Sequence, residues 1–89
     1  MKPVSLVEVT SPNCPPCEGF ERFWDTIKAE WPNVSFQKID VTTTEGADLA
    51  QKHMILSAPG ILVNGELLSS GGFDPKKLIA KLREVSMKS

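Results

Sequence analysis

Some segments of the chain have the short β-branched apolar runs of strands, and others have apolar residues at the helical spacing of about 3.6 residues. The changes between the two patterns predict where strands and helices lie. Val4–Thr10 and residues 34–41 are short runs rich in β-branched side chains, which are typical of strands. Between them, apolar side chains recur at helical spacing over residues 14–31. A helix between two apolar strands forms a βαβ unit, so we expect parallel strands joined by a right-handed crossover.

The next segment predicts a short second helix. Thr42 followed by Glu45 matches a capping box, in which the two side chains satisfy free backbone N–H groups at the helix start. We expect this helix to run to about residue 52. Met54, just beyond it, is expected in or near the core.

The last third of the chain predicts a hairpin and a final helix. Residues 61–63 and 66–69 flank Asn64-Gly65, a strong signal for a two-residue hairpin turn whose positions need φ > 0. Asp74-Pro75 fits a helix N-cap followed by the first helical residue. The predicted order is therefore βαβαββα, in a single domain over residues 1–89.

Length and composition narrow the class of protein. The chain has 89 residues, which allows one small core. Hydrophobic residues make up 40% and charged residues 24%, which suits a folded soluble domain rather than a disordered chain. No apolar run approaches the roughly 18 residues of a membrane span, and a net charge of −1 builds no positive field for nucleic acid. We therefore expect neither a membrane nor a nucleic-acid partner, and a monomer by default.

The two ends of the sequence add an expected location and a charge asymmetry. Residues 1–5 lead straight into the first strand without the apolar stretch of a signal peptide, so we expect a cytoplasmic protein. Residues 1–50 hold four basic and eight acidic side chains, whereas residues 51–89 hold six basic and three acidic ones. Such a dipole could orient a protein partner. Ordinary solvated helix faces are the simpler interpretation.

The two cysteines carry the main chemical signal. Cys14 and Cys17 form a C-x-x-C motif, whereas a disulfide-stapled secreted domain normally has four or more cysteines. A closed zinc site needs four ligands, and His53 is the only histidine that could join the pair. The motif therefore indicates a redox pair. An inert disulfide or a buried thiol pair is the structural alternative.

The position of the motif at a helix start gives it a chemical purpose. Free N–H groups and the partial positive charge of a helix N-terminus stabilise a thiolate, which is the nucleophile in disulfide exchange. We expect Cys14 to attack a substrate disulfide and Cys17 to resolve the mixed disulfide. Pro15-Pro16 removes two backbone donors, so Cys14 is expected to accept a hydrogen bond mainly from the Cys17 amide.

The C-P-P-C motif, the element order and Ala58-Pro59 ahead of the hairpin together resemble the thioredoxin/glutaredoxin superfamily over nearly the whole chain. Residues 58–67 resemble its short thioredoxin-like members in particular. The resemblance implies a four-stranded mixed sheet in the order 2-1-3-4, flanked by three helices. It also implies that Pro59 is cis beside the cysteine pair and that the Ala58 backbone pairs with substrate. An ordinary trans turn proline is the alternative.

An acid and a lysine are candidates for proton handling beneath the cysteines. Strand alternation places Glu8 on the face of Val4 and Leu6, so its carboxyl is expected to be buried. Similarity to thioredoxins implies that such an acid, six residues before the first cysteine, takes the proton of the resolving Cys17. It also implies that Lys38 is the partner of this acid. We expect Glu8 and Lys38 to approach each other; exposure of both at strand ends is the alternative.

A second feature resembles the glutathione site of glutaredoxins. Gly71-Gly72 followed by Asp74 is similar to their Gly-Gly step and nearby acid at the last helix. The alternative is a glycine turn followed by helix capping. The chain also departs from both relatives, with Pro16 and Ser57-Ala58 where glutaredoxins have an aromatic and Thr-Val. Asn13 replaces the tryptophan of thioredoxins.

The resemblance implies a thiol–disulfide oxidoreductase that reduces protein disulfides and is regenerated by a reductase or a low-molecular-weight thiol. No cofactor is expected beyond the disulfide itself, with glutathione as a candidate thiol. Two alternatives remain: a glutaredoxin-type protein that uses glutathione or binds an iron–sulfur cluster, and a scaffold with a structural disulfide. The expected docking surface is formed by Asn13, Ala58, Pro59, Gly71 and Gly72.

Overall fold

The computed structural model describes residues 1–87 and shows the predicted order of strands and helices. A short 3-10 turn, Lys28–Glu30, follows the first helix. The elements are β1 (Val4–Thr10), α1 (Pro15–Ile27), β2 (Val34–Asp40), α2 (Thr44–Lys52), β3 (Gly60–Val63), β4 (Glu66–Ser70) and α3 (Pro75–Met87).

The four strands form one mixed sheet in the order β2-β1-β3-β4, as expected. β1 and β2 are parallel, while β3 is antiparallel to both β1 and β4. In this register Glu8 lies between Lys38 on β2 and Ile61 on β3. The parallel β1–α1–β2 unit therefore brings the end of β1, the start of α1 and the end of β2 to one edge of the sheet.

The main core lies between one face of the sheet and the helices α1 and α3. Leu6 and Phe20 are fully buried in it, and Phe20 meets Phe73 edge to face with ring centroids 5.2 Å apart. Burying these apolar side chains is the main favourable term of folding. The buried members of this cluster are Val4, Leu6, Phe20, Trp24, Ile27, Ile61, Val63, Leu78 and Leu82.

The start of α2 differs from the predicted capping box. Thr43, not Thr42, is the N-cap, and its hydroxyl accepts the Gly46 N–H at 3.1 Å. Thr42 instead donates its hydroxyl to the Asp40 carboxylate at 2.7 Å. A Cβ at Gly46 would collide with the Asp40 carbonyl. The glycine thus lets α2 start directly against the end of β2.

Two further expectations need correction. The helical spacing up to residue 31 overstates α1, which ends at Ile27 before the 3-10 turn. Met54, expected in or near the core, is 78% exposed. Its backbone has φ +55° just after α2, so the chain reverses there. Ile55 packs in its place, with its side chain against Gly60.

The hairpin between β3 and β4 confirms the turn prediction. Asn64 and Gly65 have φ values of +51° and +83°, as the two-residue turn requires. The β3–β4 register shifts by one residue between Ile61 and Leu62, which marks a β-bulge. Among the described residues, no helix is long and apolar enough to cross a membrane.

Candidate active site

The two cysteines form a disulfide at the beginning of α1. Cys14 is the N-cap, and its sulfur accepts the Cys17 backbone N–H at 3.2 Å, as the sequence predicts. Pro15 and Pro16 occupy the first two helical positions, where neither can donate a hydrogen bond. Cys17 is only 2% exposed, whereas Cys14 is half-buried. Cys14 is therefore the sulfur that a partner can reach first.

The loop before β3 lies at the same edge of the sheet as the disulfide. The Ala58–Pro59 peptide bond is cis, and Pro59 is buried. The next residue, Gly60, pairs with Val9 near the end of β1 from which the cysteine motif departs. The N–H of Gly71 donates to the carbonyls of Ser57 and Pro59, each at 3.0 Å. Two of the predicted docking loops are thus tied together.

Ser11 lines two hollows, one of which contains the disulfide. One is acidic and polar and is lined by Cys14 and Cys17 together with Glu18, Glu21, Lys38 and Asp40. The other is largely apolar and is lined by Val9, Val41, Ile55, Leu56 and Ala58. Leu56 is 92% exposed, and Asn13, before Cys14, is exposed with φ +52°. Leu56 cannot be identified as a surface residue from the sequence, because an exposed leucine and a core leucine look alike there.

Glu8 is fully buried, as strand alternation predicted. Neither of its carboxyl oxygens has a hydrogen-bond partner within residues 1–87. Burial and, next, the interaction with the neighbouring Glu21 carboxyl raise the pKa of Glu8, the Lys38 charge lowers it, and the result is a pKa of about 8. Glu8 is therefore mostly protonated at neutral pH, and its charge state is poised near the pKa of a thiol.

Lys38 approaches Glu8, as expected, and its charge acts on that carboxyl, but its ammonium pairs with a different residue. Although it lies opposite Glu8 in the strand register, its ammonium is 3.1 Å from a carboxylate oxygen of Glu21. This hydrogen bond raises the pKa of Lys38. The reason is solvation: Lys38 is half exposed and reaches the partly exposed Glu21 without being buried.

Glu21 is a site residue that the sequence analysis missed. It lies four residues after Cys17 on α1, so one helical turn places it on the same face as the resolving cysteine. It lines the acidic hollow and is 27% exposed. That helical spacing from the C-x-x-C motif was the signal that could have identified it.

Asp74 acts as the cap of α3 in this structure. Its carboxylate accepts the Lys76 backbone N–H at 2.9 Å, which matches the capping alternative. The carbonyl of Gly72 accepts the Ser69 hydroxyl at 3.0 Å. Glutathione binding at Gly71 and Gly72 stays a prediction. His53 is the half-buried C-cap of α2, and residues 1–87 contain no cluster of three or more metal-binding side chains.

Comparison with solved structures gives the same architecture. Mitochondrial thioredoxin 3 from Saccharomyces cerevisiae in its oxidized form superposes with a TM-score of 0.73 and 21% identity. The match covers 94% of this chain and 80% of that one. Thioredoxin from Trypanosoma brucei brucei gives 0.72 at 27% identity, over 96% and 76% of the two chains.

A third similar chain comes from the structural study of thiol resolution in yeast mitochondrial 1-Cys peroxiredoxin via glutathione/thioredoxin systems. It has a TM-score of 0.72 and 20% identity, over 94% of this chain and 80% of that one. The search among curated proteins gave no match.

The family comparison covers most of the sequence. A family model described as a thioredoxin domain matches residues 5–84, from β1 well into α3. The matched span includes the disulfide, Glu8 and the cis Pro59. The fold and the C-x-x-C disulfide support a thiol–disulfide oxidoreductase. The chain belongs to the thioredoxin-domain family.

Proposed function

We propose that this protein reduces disulfide bonds in other proteins, with Cys14 as the nucleophile and Cys17 as the resolving thiol. One observation carries the proposal: Cys14 is accessible at the N-terminus of α1, while Cys17 is buried one turn inside it. The helix dipole and the Cys17 N–H both favour a thiolate at Cys14 in the reduced protein.

The first step forms a mixed disulfide. The Cys14 thiolate attacks one sulfur of the substrate disulfide, and a bond forms between Cys14 and that sulfur. The other substrate sulfur leaves as a thiolate and takes a proton from solvent. Pro15 and Pro16 lack N–H groups, so they cannot compete with Cys17 for the Cys14 sulfur.

The second step releases the substrate. In the proposed mechanism the Cys17 thiol gives its proton to Glu8 in the fraction of molecules whose Glu8 carboxylate is ionised. The Cys17 sulfur then attacks Cys14 and breaks the bond between Cys14 and the substrate. The substrate's second sulfur leaves as a thiolate, so two electrons have passed to the substrate and the Cys14–Cys17 disulfide remains. A carboxyl with a pKa of about 8 is close to the pKa of about 8.5 of a free thiol, which makes the transfer efficient. Lys38 contributes a charge that favours ionised Glu8.

The surroundings of the disulfide support a protein substrate and a transient complex. The exposed side chains of Met54 and Leu56 precede Ala58, so the loop before the cis proline offers an apolar surface at the edge of the sheet that carries the disulfide. We propose that an extended segment around the substrate disulfide lies along Ala58, with Asn13, Pro59, Gly71 and Gly72 at the edge of the contact. Regeneration requires two electrons from a reductase or a low-molecular-weight thiol. Such a cycle suits a reducing compartment such as the cytoplasm.

Trapping the intermediate tests this proposal. Reduced Cys17→Ser protein should form a stable mixed disulfide through Cys14 with a disulfide-containing protein, visible as an adduct by intact mass spectrometry. Cys14→Ser protein should form none, because Cys17 is buried. The wild-type chain should turn over with a chemical reductant. If Cys17→Ser forms no adduct and the wild type has no turnover, the disulfide is structural and the proposal fails.

A further inference from the structure

Glu8 and Glu21 are neighbouring carboxyls, and Glu21 lines the hollow that contains the disulfide. Glu8 is buried with both oxygens unpartnered among the described residues, and Glu21 is close enough to raise its pKa. Buried carboxyls normally have hydrogen-bond partners. With no such partner in the part of the chain that the structure describes, the charge state of Glu8 depends on nearby charges. A residue that controls which cation reaches Glu8 also controls the pH range in which Glu8 is protonated.

The strand register would allow Lys38 to be that cation. Lys38 lies directly opposite Glu8 on the neighbouring parallel strand, and the pair shares one face of the sheet. The Lys38 ammonium nevertheless lies 3.1 Å from the Glu21 carboxylate. Glu21 reaches it from α1, and both residues of the ion pair line the acidic hollow with the two cysteines.

We propose that Glu21 is a positioning residue for the proton transfer between Cys17 and Glu8: it takes the Lys38 ammonium that the strand register would otherwise give to Glu8. The role rests on the proposed reductase function, because it acts on the proton that Cys17 releases. It works in two ways. The Glu21 charge itself disfavours ionised Glu8, and the ion pair keeps the countercharge away from it.

Few other charged groups surround Glu8. The Glu21 carboxyl acts on it from α1, and Lys38 lies opposite it on β2. The neighbouring residue on β3 is Ile61, and α3 supplies apolar side chains to the adjoining core. Glu18 and Asp40 also line the hollow, but neither acts on Glu8 as Glu21 does. Glu21 and Lys38 are therefore the charged groups that shift the titration of Glu8.

The experiment follows the Glu8 carboxyl directly, by side-chain 13C NMR titration of the oxidised protein. This readout does not need turnover, so it is independent of the reductase function. Glu21→Gln should increase the acid dissociation constant of Glu8 about tenfold, moving its titration midpoint about one pH unit lower. Glu18→Gln removes the same charge from the same hollow and helix, and should change the constant less than twofold. Lys38→Gln should move the midpoint in the opposite direction.

A double variant separates the two ways in which Glu21 acts. In the Lys38→Gln background, Glu21→Gln should change the Glu8 constant only about threefold, because no ammonium is left to redirect. An equal change in both backgrounds would overturn the positioning role. So would a Glu21→Gln effect no larger than that of Glu18→Gln. Near-UV circular dichroism checks that each variant keeps the wild-type packing of Phe20 and Trp24.

Kinetics then connect the positioning residue to the reaction. With reduced protein and a disulfide substrate, the pH midpoint of the Cys17 resolving step should fall in Glu21→Gln in parallel with the Glu8 titration. If the titration moves but the kinetic midpoint does not, Glu21 does not position the proposed transfer. If Cys17→Ser traps no adduct while the titration shifts as expected, the reductase proposal fails and the carboxyl coupling stands as a separate finding.

Discussion

One face of strand β1 has two ends that are equally buried and chemically opposite. At the beginning of the strand, Leu6 lies in an aliphatic and aromatic cluster that contains Phe20 and Leu82. Two residues later, Glu8 is as fully buried as Leu6 but carries a carboxyl without a hydrogen-bond partner among residues 1–87. Leu6 stabilises the fold, whereas the buried carboxyl of Glu8 costs stability and lies towards the end of β1 that precedes the disulfide. Equal burial therefore does not imply an equal role.

The largest effect should come from the apolar end. Leu6→Ala removes a fully buried side chain from the core and should lower the free energy of unfolding by about 2–5 kcal/mol. Urea denaturation monitored by tryptophan fluorescence would measure it. The reduction potential of the folded variant should stay as in the wild type. A large change of potential would show that the two ends are coupled rather than separate.

The buried carboxyl of Glu8 should make the stability of the protein depend on pH. The pKa of Glu8 is about 8 in the folded protein against 4.5 for the free side chain, so the folded state holds the proton more tightly over this interval. The stability linked to the Glu8 proton is therefore fully present below about pH 4.5 and is lost as the pH rises through 8. The loss should reach about 3 kcal/mol by pH 7. Glu8→Gln should abolish this dependence.

Denaturation midpoints of wild type and Glu8→Gln, measured from pH 4.5 to 9, would check the sign. The wild type should lose stability relative to the variant as the pH rises. Parallel curves would mean that Glu8 titrates alike in both states. Glu18→Gln serves as the matched control, since Glu18 is exposed on the same helix as Glu21 and should leave the pH dependence in place.

A smaller loss of stability is expected at Asp74, a carboxylate that, unlike Glu8, has a hydrogen-bond partner among the described residues. Asp74 accepts the Lys76 N–H at the start of α3, so Asp74→Ala should destabilise the protein by about 1 kcal/mol. Asp74→Asn should preserve most of the cap. Thermal unfolding would compare the two. If Asp74→Ala instead left stability unchanged and weakened turnover with glutathione, the glutaredoxin-like interpretation of Gly71-Gly72-Phe73-Asp74 would gain support over capping.

Local chemistry explains why most of the fold could be predicted from the sequence. The β1–α1–β2 unit follows from strand and helix periods, and Asn64-Gly65 fixes a hairpin because both positions have positive φ. The position of the cysteine pair at a helix start could be predicted because Pro15 suits the first turn of a helix. Burial of Glu8 followed from alternation alone. Each of these inferences needs only neighbouring residues.

The remaining details depend on contacts that sequence periodicity does not encode. Met54 has a positive φ just after α2 and is exposed, and the side chain of the next residue, Ile55, packs against Gly60 instead. The ion pair of Lys38 depends on which carboxylate is reachable across two elements, and Glu21 on α1 is closer to solvent than Glu8. Sequence similarity suggested the acid and the lysine, and helical spacing from Cys17 could have suggested Glu21, but the ion pair of Glu21 with Lys38 is visible only in the structure.

The reduction potential of the Cys14–Cys17 disulfide would decide whether this protein is a reductant of other proteins. The oxidised protein would be equilibrated with dithiol buffers of defined potential, and the free thiols would be trapped and counted by mass spectrometry. A protein that reduces other proteins' disulfides should give a value near about −270 mV, in the thioredoxin range. A value near about −120 mV, or a disulfide that does not reduce and reform, would contradict the account.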